Sequence, residues 1–271
     1  LHPHLAEQPE VRSQFIIEAQ ITSQLEHPNI IPVYELGRDA DGIPYLSLRK
    51  VGGDTFRTFI KKAAADRLDD HNLRRAVRVL IKVTDALEYA HHRGVVHLDI
   101  KPSNILIGDF SEVYLADWGI ALTGVGDHIR NPVQVYPERP PEAEPTISGT
   151  PTYMSPEQAQ GLSDSITPST DMFLLGATLY ELLCGQPPYA GLPSMDAIVA
   201  SASTCDFAPF ESSIPIQNRC PALEQIALKA MALRPEDRFQ SMTELGEALQ
   251  DFVEGTGALP LQVYKRGTVI V

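Results

Sequence analysis

The stretch His97-Leu98-Asp99-Ile100-Lys101-Pro102-Ser103-Asn104, followed beyond a short hairpin-like passage by Asp117-Trp118-Gly119, decides how this chain is read. A single Asp in a polar loop is ordinarily a turn residue or a helix cap. Asp, Lys and Asn at positions 0, +2 and +5 of one loop, with a second Asp downstream, form a far rarer set. Phosphoryl transfer calls for such a set. One carboxylate accepts or orients a hydroxyl proton, a Lys offsets the charge of the moving phosphate, and an amide and a carboxylate hold magnesium. That chemistry depends on position and electrostatics, so the groups belong on a rigid loop beside strands.

The flanks supply those elements. Leu73, Val77, Leu80, Ile81, Thr84 and Leu87 recur at helical spacing, and the helix Leu73–His92 is ended by Gly94. Short apolar runs follow at Val95–Val96, Ile105–Ile107 and Val113–Leu115. Toward the N-terminus, Pro9 and Glu10 open a helix over 9–26 that His27-Pro28-Asn29 stops. Strand-like runs Ile30–Leu36 and Tyr45–Val51 flank the turn signal Asp39-Ala40-Asp41-Gly42. Downstream, the proline-rich Thr123–Pro145 reads as a mobile loop, and its acidic part, 132–145, as a solvated linker. Asp171–Cys184 is apolar on most faces, the mark of a buried helix. Further helices are expected over Ser194–Ser201, Pro221–Ala232 and Ser241–Val253, and Leu259–Val271 alternates like a strand without an evident partner.

Composition narrows the classes. In 271 residues, 22 Lys and Arg stand against 35 Asp and Glu, a net charge of −13, which argues against a nucleic-acid or anionic-membrane surface. Cys184, Cys205 and Cys220 form no CxxC pair and no even framework, so a reducing, cytoplasmic setting is expected. No apolar run reaches the roughly 18–20 residues needed to span a bilayer. His91-His92 is expected to serve as a helix-end cap or solvent face rather than a metal pair, and Cys184 to be a core residue.

From about Glu7 to Val253 the chain resembles the bacterial, eukaryotic-like Ser/Thr protein kinases. His97-Leu98-Asp99 and Asp117-Trp118-Gly119 resemble the catalytic-loop and magnesium motifs, each with its middle residue changed. Gly149-Thr150-Pro151-Thr152-Tyr153-Met154-Ser155-Pro156-Glu157 resembles the end of the activation segment. Asp171–Gly176 looks like the buried helix whose Asp anchors the catalytic loop, and Arg234–Arg238 like the late motif whose second Arg pairs with Glu157. The resemblance implies an α+β, protein-kinase-like fold. Residues 1–51 would be a partial N-lobe (first helix plus about two strands) and hinge, 52–253 a complete, mainly helical C-lobe, and 254–271 an extension or linker.

It also implies roles. Asp99 would be the proton acceptor and Lys101 the γ-phosphate partner, with Asn104 and Asp117 as Mg²⁺ ligands. Leu48 would stand at the gatekeeper position, Arg49, Lys50 and Val51 would offer backbone groups to the adenine of ATP, and Leu106 would pack on its face. Glu18, His97, Trp118, Thr150, Glu157, Asp171 and Arg238 would support the site, and Thr146, Ser148 and Thr152 are candidate autophosphorylation sites. Partners would be protein substrates, with a homodimer as one route to autophosphorylation.

The departures lie mainly in the upper lobe. The family's Gly-rich loop and strand Lys precede the first helix, yet no Gly occurs before Gly37 and no Lys before Lys50. With Leu1 as first residue, the expectation is a partial sequence of a longer kinase, one that binds ATP poorly as written. The alternative is a pseudokinase that acts as a protein-binding scaffold. Leu98 in place of Arg removes an anchor for a phosphorylated loop residue, and Trp118 keeps an aromatic in its slot.

Overall fold

The computed structural model describes residues 8–65, 69–126, 129–136, 149–210, 220–256, 263–265 and 268–270. Helix α1 (Pro9–Gln24) begins with Pro in its first turn and buries Ile17, Ala19, Ile21 and Thr22 on one face. The antiparallel pair β1 (Val33–Arg38) and β2 (Pro44–Leu48) follows, in a register that sets Val33 opposite Leu48 and Gly37 opposite Tyr45. Both strands differ from the expected limits. Ile30 and Ile31 leave the run because they bond to Leu115 instead, Ile30 through a parallel bridge.

The lower lobe is built around two long helices. After the short β3 (Asp54–Thr55) comes α2 (Phe56–Ala65), which the sequence reading does not anticipate. Helix α3 (Asp70–His92) starts earlier than expected because the Asp69 carboxylate accepts a hydrogen bond from Asn72 N, a cap for its first turn. Its broad inner face, from Ala76 to Ala90, is buried. β4 (Val95–Val96) pairs with β7 (Leu122–Thr123), and β5 (Ile105–Ile107) lies between β3 and β6 (Val113–Leu115). These small sheets hold the polar loops between them in fixed positions.

Beyond the short α4 (Pro156–Ala159), α5 (Pro168–Cys184) is buried continuously from Thr170 through Leu182. A helix apolar on every face fits only at the centre, enclosed by its neighbours. It packs on α7 (Pro221–Ala230), where Gly176 permits close contact: a Cβ there would stand 2.8 Å from that of Ala230. α6 (Met195–Ser203) and α8 (Met242–Glu254) complete the lobe, α8 lying along α3. Cys184 is half-buried against the core.

Two expectations need correction. Of the expected solvated linker 132–145, the described part 132–136 is anchored: Val133 is buried and Val135 packs on the core, while Pro132, Gln134 and Tyr136 are exposed. The C-terminal strand run does have a partner, since β8 (Val263–Lys265) and β9 (Thr268–Ile270) pair with each other. Thr146, Ser148 and the proline-rich 137–145 lie outside the described residues. Among the described residues no helix is long and apolar enough to cross a membrane.

Candidate active site

The loop His97–Asn104 leaves β4 at the N-terminal turn of α5, and Asp171 of that helix takes hold of it. Its fully buried carboxylate accepts hydrogen bonds from His97 N (2.8 Å), Leu98 N (2.9 Å) and His91 Nε2 (2.8 Å). Three donors offset the cost of burying that charge. His91 therefore departs from the expected capping or solvent role, because the fold sets the end of α3 against α5. His92 is exposed and stays within its own helix, beside the Glu88 carbonyl.

Leu98 is forced into the left-handed region, φ 68°, and so is Asp117. Non-glycine residues of this kind gather where a site over-determines the backbone. Between them His97 is wholly buried, and burial holds its imidazole below the usual histidine range. The neutral ring accepts from Asp99 N at Nδ1 (3.2 Å) and donates from Nε2 to the Ala116 carbonyl (3.2 Å). Trp118 closes over it, ring centres 4.5 Å apart.

Asp99 is the most constrained group in the site. Thr150 donates to Oδ1 from both its backbone N (3.1 Å) and its hydroxyl (2.6 Å). Lys101 Nζ donates to Oδ2 (2.5 Å) and to Thr150 Oγ1 (2.6 Å). Asn104 Nδ2 reaches the Asp99 carbonyl (2.9 Å) and Oδ2 (3.2 Å). Burial alone would raise this carboxyl, but the bonds from Lys101 and Thr150 and the lysine charge outweigh it and hold its pKa below the ordinary value. Asp99 is ionised at neutral pH.

The floor beneath is tied across long sequence distances. Arg238, fully buried, donates from both terminal nitrogens to the Glu157 carboxylate (2.8 and 3.0 Å) and also to Ser169 and Ala232 carbonyls. Burial works to raise Glu157, and the Arg238 bonds prevail, leaving it low. Tyr153 donates to Glu181 and accepts from Arg57 (2.7 Å), a network that sequence reasoning misses because its members lie on three separate elements. Gln158 is missed too; its amide donates to the Leu98 carbonyl at 2.9 Å.

Above the loop, a cleft of about 260 Å³ opens between the lobes. Leu48, Arg49, Val51, Leu106 and Asp117 line it, together with Leu46 and Glu18. Lys50 and Asn104 are not among the lining residues, Asn104 being turned in on Asp99. Arg49 rests over the Tyr114 ring and near Glu112. Glu18 faces Asp117, and burial first, then that neighbouring charge, pushes its carboxyl up. Glu18 makes no ion pair among the described residues.

The chain between Asp117 and Gly149 also reaches α1. Gln20 pairs with the Tyr136 backbone, Nε2 to O at 2.6 Å and N to Oε1 at 2.7 Å, and Gln24 does the same with Gln134 at 2.7 and 3.1 Å. Arg93 completes the tie by donating to the Asn131 and Gln24 carbonyls.

Comparison with known proteins follows the same outline. Residues 4–255 match the family model described as a protein kinase domain. The serine/threonine-protein kinase PknD of Protochlamydia amoebophila (strain UWE25) is 32% identical, over 93% of this chain and 26% of that protein. PknD of Chlamydia muridarum (strain MoPn / Nigg) is 32% identical over 93% of this chain and 28% of its own length, and that of Chlamydia pneumoniae 30% over 93% and 28%. The chain thus spans about a quarter of the length of these curated relatives.

Proposed function

This chain belongs to the protein kinase family, among the bacterial eukaryotic-like serine/threonine kinases, and from that premise we propose that it transfers the γ-phosphate of Mg·ATP to Ser and Thr hydroxyls of proteins, its own activation segment included. The observation that carries the reading is Asp99, an ionised carboxylate fixed at both oxygens beside Lys101. A carboxylate held below its usual pKa is a weak base. It suits a reaction in which the acceptor hydroxyl is oriented first and gives up its proton late, as a loose phosphoryl-transfer transition state allows. Lys101, already seated against Asp99 and Thr150, stands where charge moves onto the transferring group.

The donor set fits magnesium. Asp117 and Asn104 offer oxygen only, and no group of three His, Cys, Asp or Glu suited to a metal occurs among the described residues. Mg²⁺ favours one or two carboxylates and takes its remaining ligands from phosphate and water. When bound it supplies neutralisation of phosphate charge. The cleft between Leu46, Leu48 and Leu106 offers apolar faces to a purine, with Arg49 and Val51 of the expected hinge among its lining residues. Thr152, at the end of the activation segment, is a candidate phosphorylation site, and Thr146 and Ser148 are proposed with it from sequence. Protein substrates and a cytoplasmic setting complete the reading.

One observation favours a second reading, a scaffold without turnover: Glu18 faces Asp117 rather than a cation. Incubation with γ-labelled ATP, Mg²⁺ and a basic protein separates the two. The kinase reading expects label on Ser or Thr and a loss of at least about 100-fold in Asp99→Asn, the scale of a lost general base. Absence of label with the unaltered chain, or equal label in both, would favour the scaffold.

A further inference from the structure

Both backbone polar groups of Leu98 have partners, and one of those partners lies outside the loop 97–104 and outside α5. Leu98 N donates to Asp171 Oδ1, Asp99 N donates to His97 Nδ1, and the Leu98 carbonyl accepts from Gln158 Nε2 at 2.9 Å. Leu98 holds φ 68°, a conformation that side chains other than Gly seldom adopt. Relief of that strain takes rotation about the Leu98 N–Cα bond, and with Leu98 N held by Asp171 the rotation moves the Leu98 carbonyl and Asp99 beyond it. The rotation would turn the Asp99 carboxylate and withdraw the Leu98 carbonyl from its donor. Gln158 opposes the rotation directly.

The glutamine cannot present its amide the other way round. Its Oε1 accepts from Ser155 N (3.1 Å) while its own N donates to Ser155 Oγ (3.3 Å), a capping box at the start of α4. With Oε1 so used and the residue 4% exposed, Nε2 must face Leu98. Gly149 clears the path: a Cβ there would lie 2.9 Å from Gln158 Nε2 and 3.1 Å from the Leu98 carbonyl. Thr150, the next residue, holds Asp99 Oδ1. The stretch 149–158 therefore grips two consecutive residues of the catalytic loop, Asp99 through Thr150 and Leu98 through Gln158.

We propose that Gln158 is a positioning residue for Asp99: it locks the Leu98–Asp99 peptide and so makes the geometry of the reacting carboxylate depend on the activation segment being seated. The catalytic consequence rests on the kinase reading above, whereas the lock itself does not. Gln158→Met conserves volume and removes the donor. Gln158→Asn keeps the amide but is a methylene too short to span Ser155 and Leu98.

The test is amide hydrogen exchange, read for Leu98 and Asp99 and for α5 as reference, together with kcat and KM for Mg·ATP. Both variants should speed exchange at Leu98 and Asp99 by about tenfold or more while α5 keeps its protection. Both should lower kcat by at least about tenfold and leave KM within about twofold, as expected for a misplaced reacting group. Unchanged exchange at Leu98 and Asp99 would overturn the proposal. So would an increase of equal size in α5, which marks a merely structural loss. Should Gln158→Met not fold, Gln158→Asn carries the same comparison. If the unaltered chain shows no turnover, the kinase reading fails while the exchange result still decides the lock.

Discussion

Glu157 and Glu18, the first buried and the second half-buried, both flank the candidate site, and they sit in opposite circumstances. Glu157 lies on the floor of the lower lobe with both oxygens on Arg238, and its pKa is depressed. Glu18 lies on α1 in the upper lobe with Asp117 for a neighbour, and its pKa is raised. The contrast extends to the surroundings. The lower lobe encloses α5 on every side, while the β1–β2 pair leaves Tyr34 67% and Leu36 41% exposed. The groups that would move a phosphate are held tightly. Those that would grip a nucleotide are held by one helix and two strands among the described residues.

The largest effect expected from this contrast is at Arg238. Arg238→Met leaves Glu157 charged, buried and unpaired, a loss of about 3–5 kcal/mol, measurable as a lower denaturant midpoint. Because the Glu157 pKa is depressed on folding, its contribution is present above the ordinary 4.5 and fades as pH falls through the lower folded value. The penalty of the variant should therefore shrink in acid.

Glu18→Gln should act with the opposite sign. A carboxyl whose pKa is raised on folding favours the folded state when protonated, and that contribution is lost as pH rises through the folded value. Above it, the variant should be the more stable protein, by on the order of 0.5–1 kcal/mol, the size of a charge pair near a surface. Below the ordinary 4.5 the two should unfold alike. A destabilised Gln variant at neutral pH would mean that Glu18 has a cationic partner in solution.

The smallest effect belongs to the tie between α1 and residues 134–136. Replacing Gln20 and Gln24 by Ala removes four exposed hydrogen bonds and a half-buried one within α1, all within reach of replacement by water, so global stability should fall by only about 1 kcal/mol. Protease nicking within 134–136 should nevertheless rise clearly, since the anchors left would be Val133, Val135 and the bonds of Asn131, Arg130 and Val133 to Arg93 and His92. Nicking at the parent rate would show that the valines and the Arg93 and His92 bonds hold the segment without the glutamines.

How much of this was legible in the sequence follows from distance along the chain. Asp99, Lys101 and Asn104 come from one loop, and their meeting could be read from spacing. Glu157 and Arg238 are 81 residues apart and His91 and Asp171 are 80 apart. Resemblance supplied the first pair, and nothing signalled the second. Helix α2 carries Phe56, Phe59, Ile60 and Ala63 at helical spacing, a signal obscured by the preceding Gly52-Gly53 and the lack of a clear cap. Val133 and Val135 alternate as a strand does, but prolines and charges around them mask so short a period. Gln158 could be found only through the shape of its surroundings, because its partner is a backbone carbonyl and leaves no trace in residue type.

The dependence of phosphoryl transfer on Mg·ATP concentration tests the contrast most directly. On the kinase reading, a tightly bonded Asp99 below a cleft whose half-buried Glu18 faces a carboxylate predicts a KM for Mg·ATP of at least about 1 mM, the upper end of ordinary values. Saturation at micromolar Mg·ATP would contradict it, because the cleft would then grip the phosphates as firmly as the floor holds Asp99.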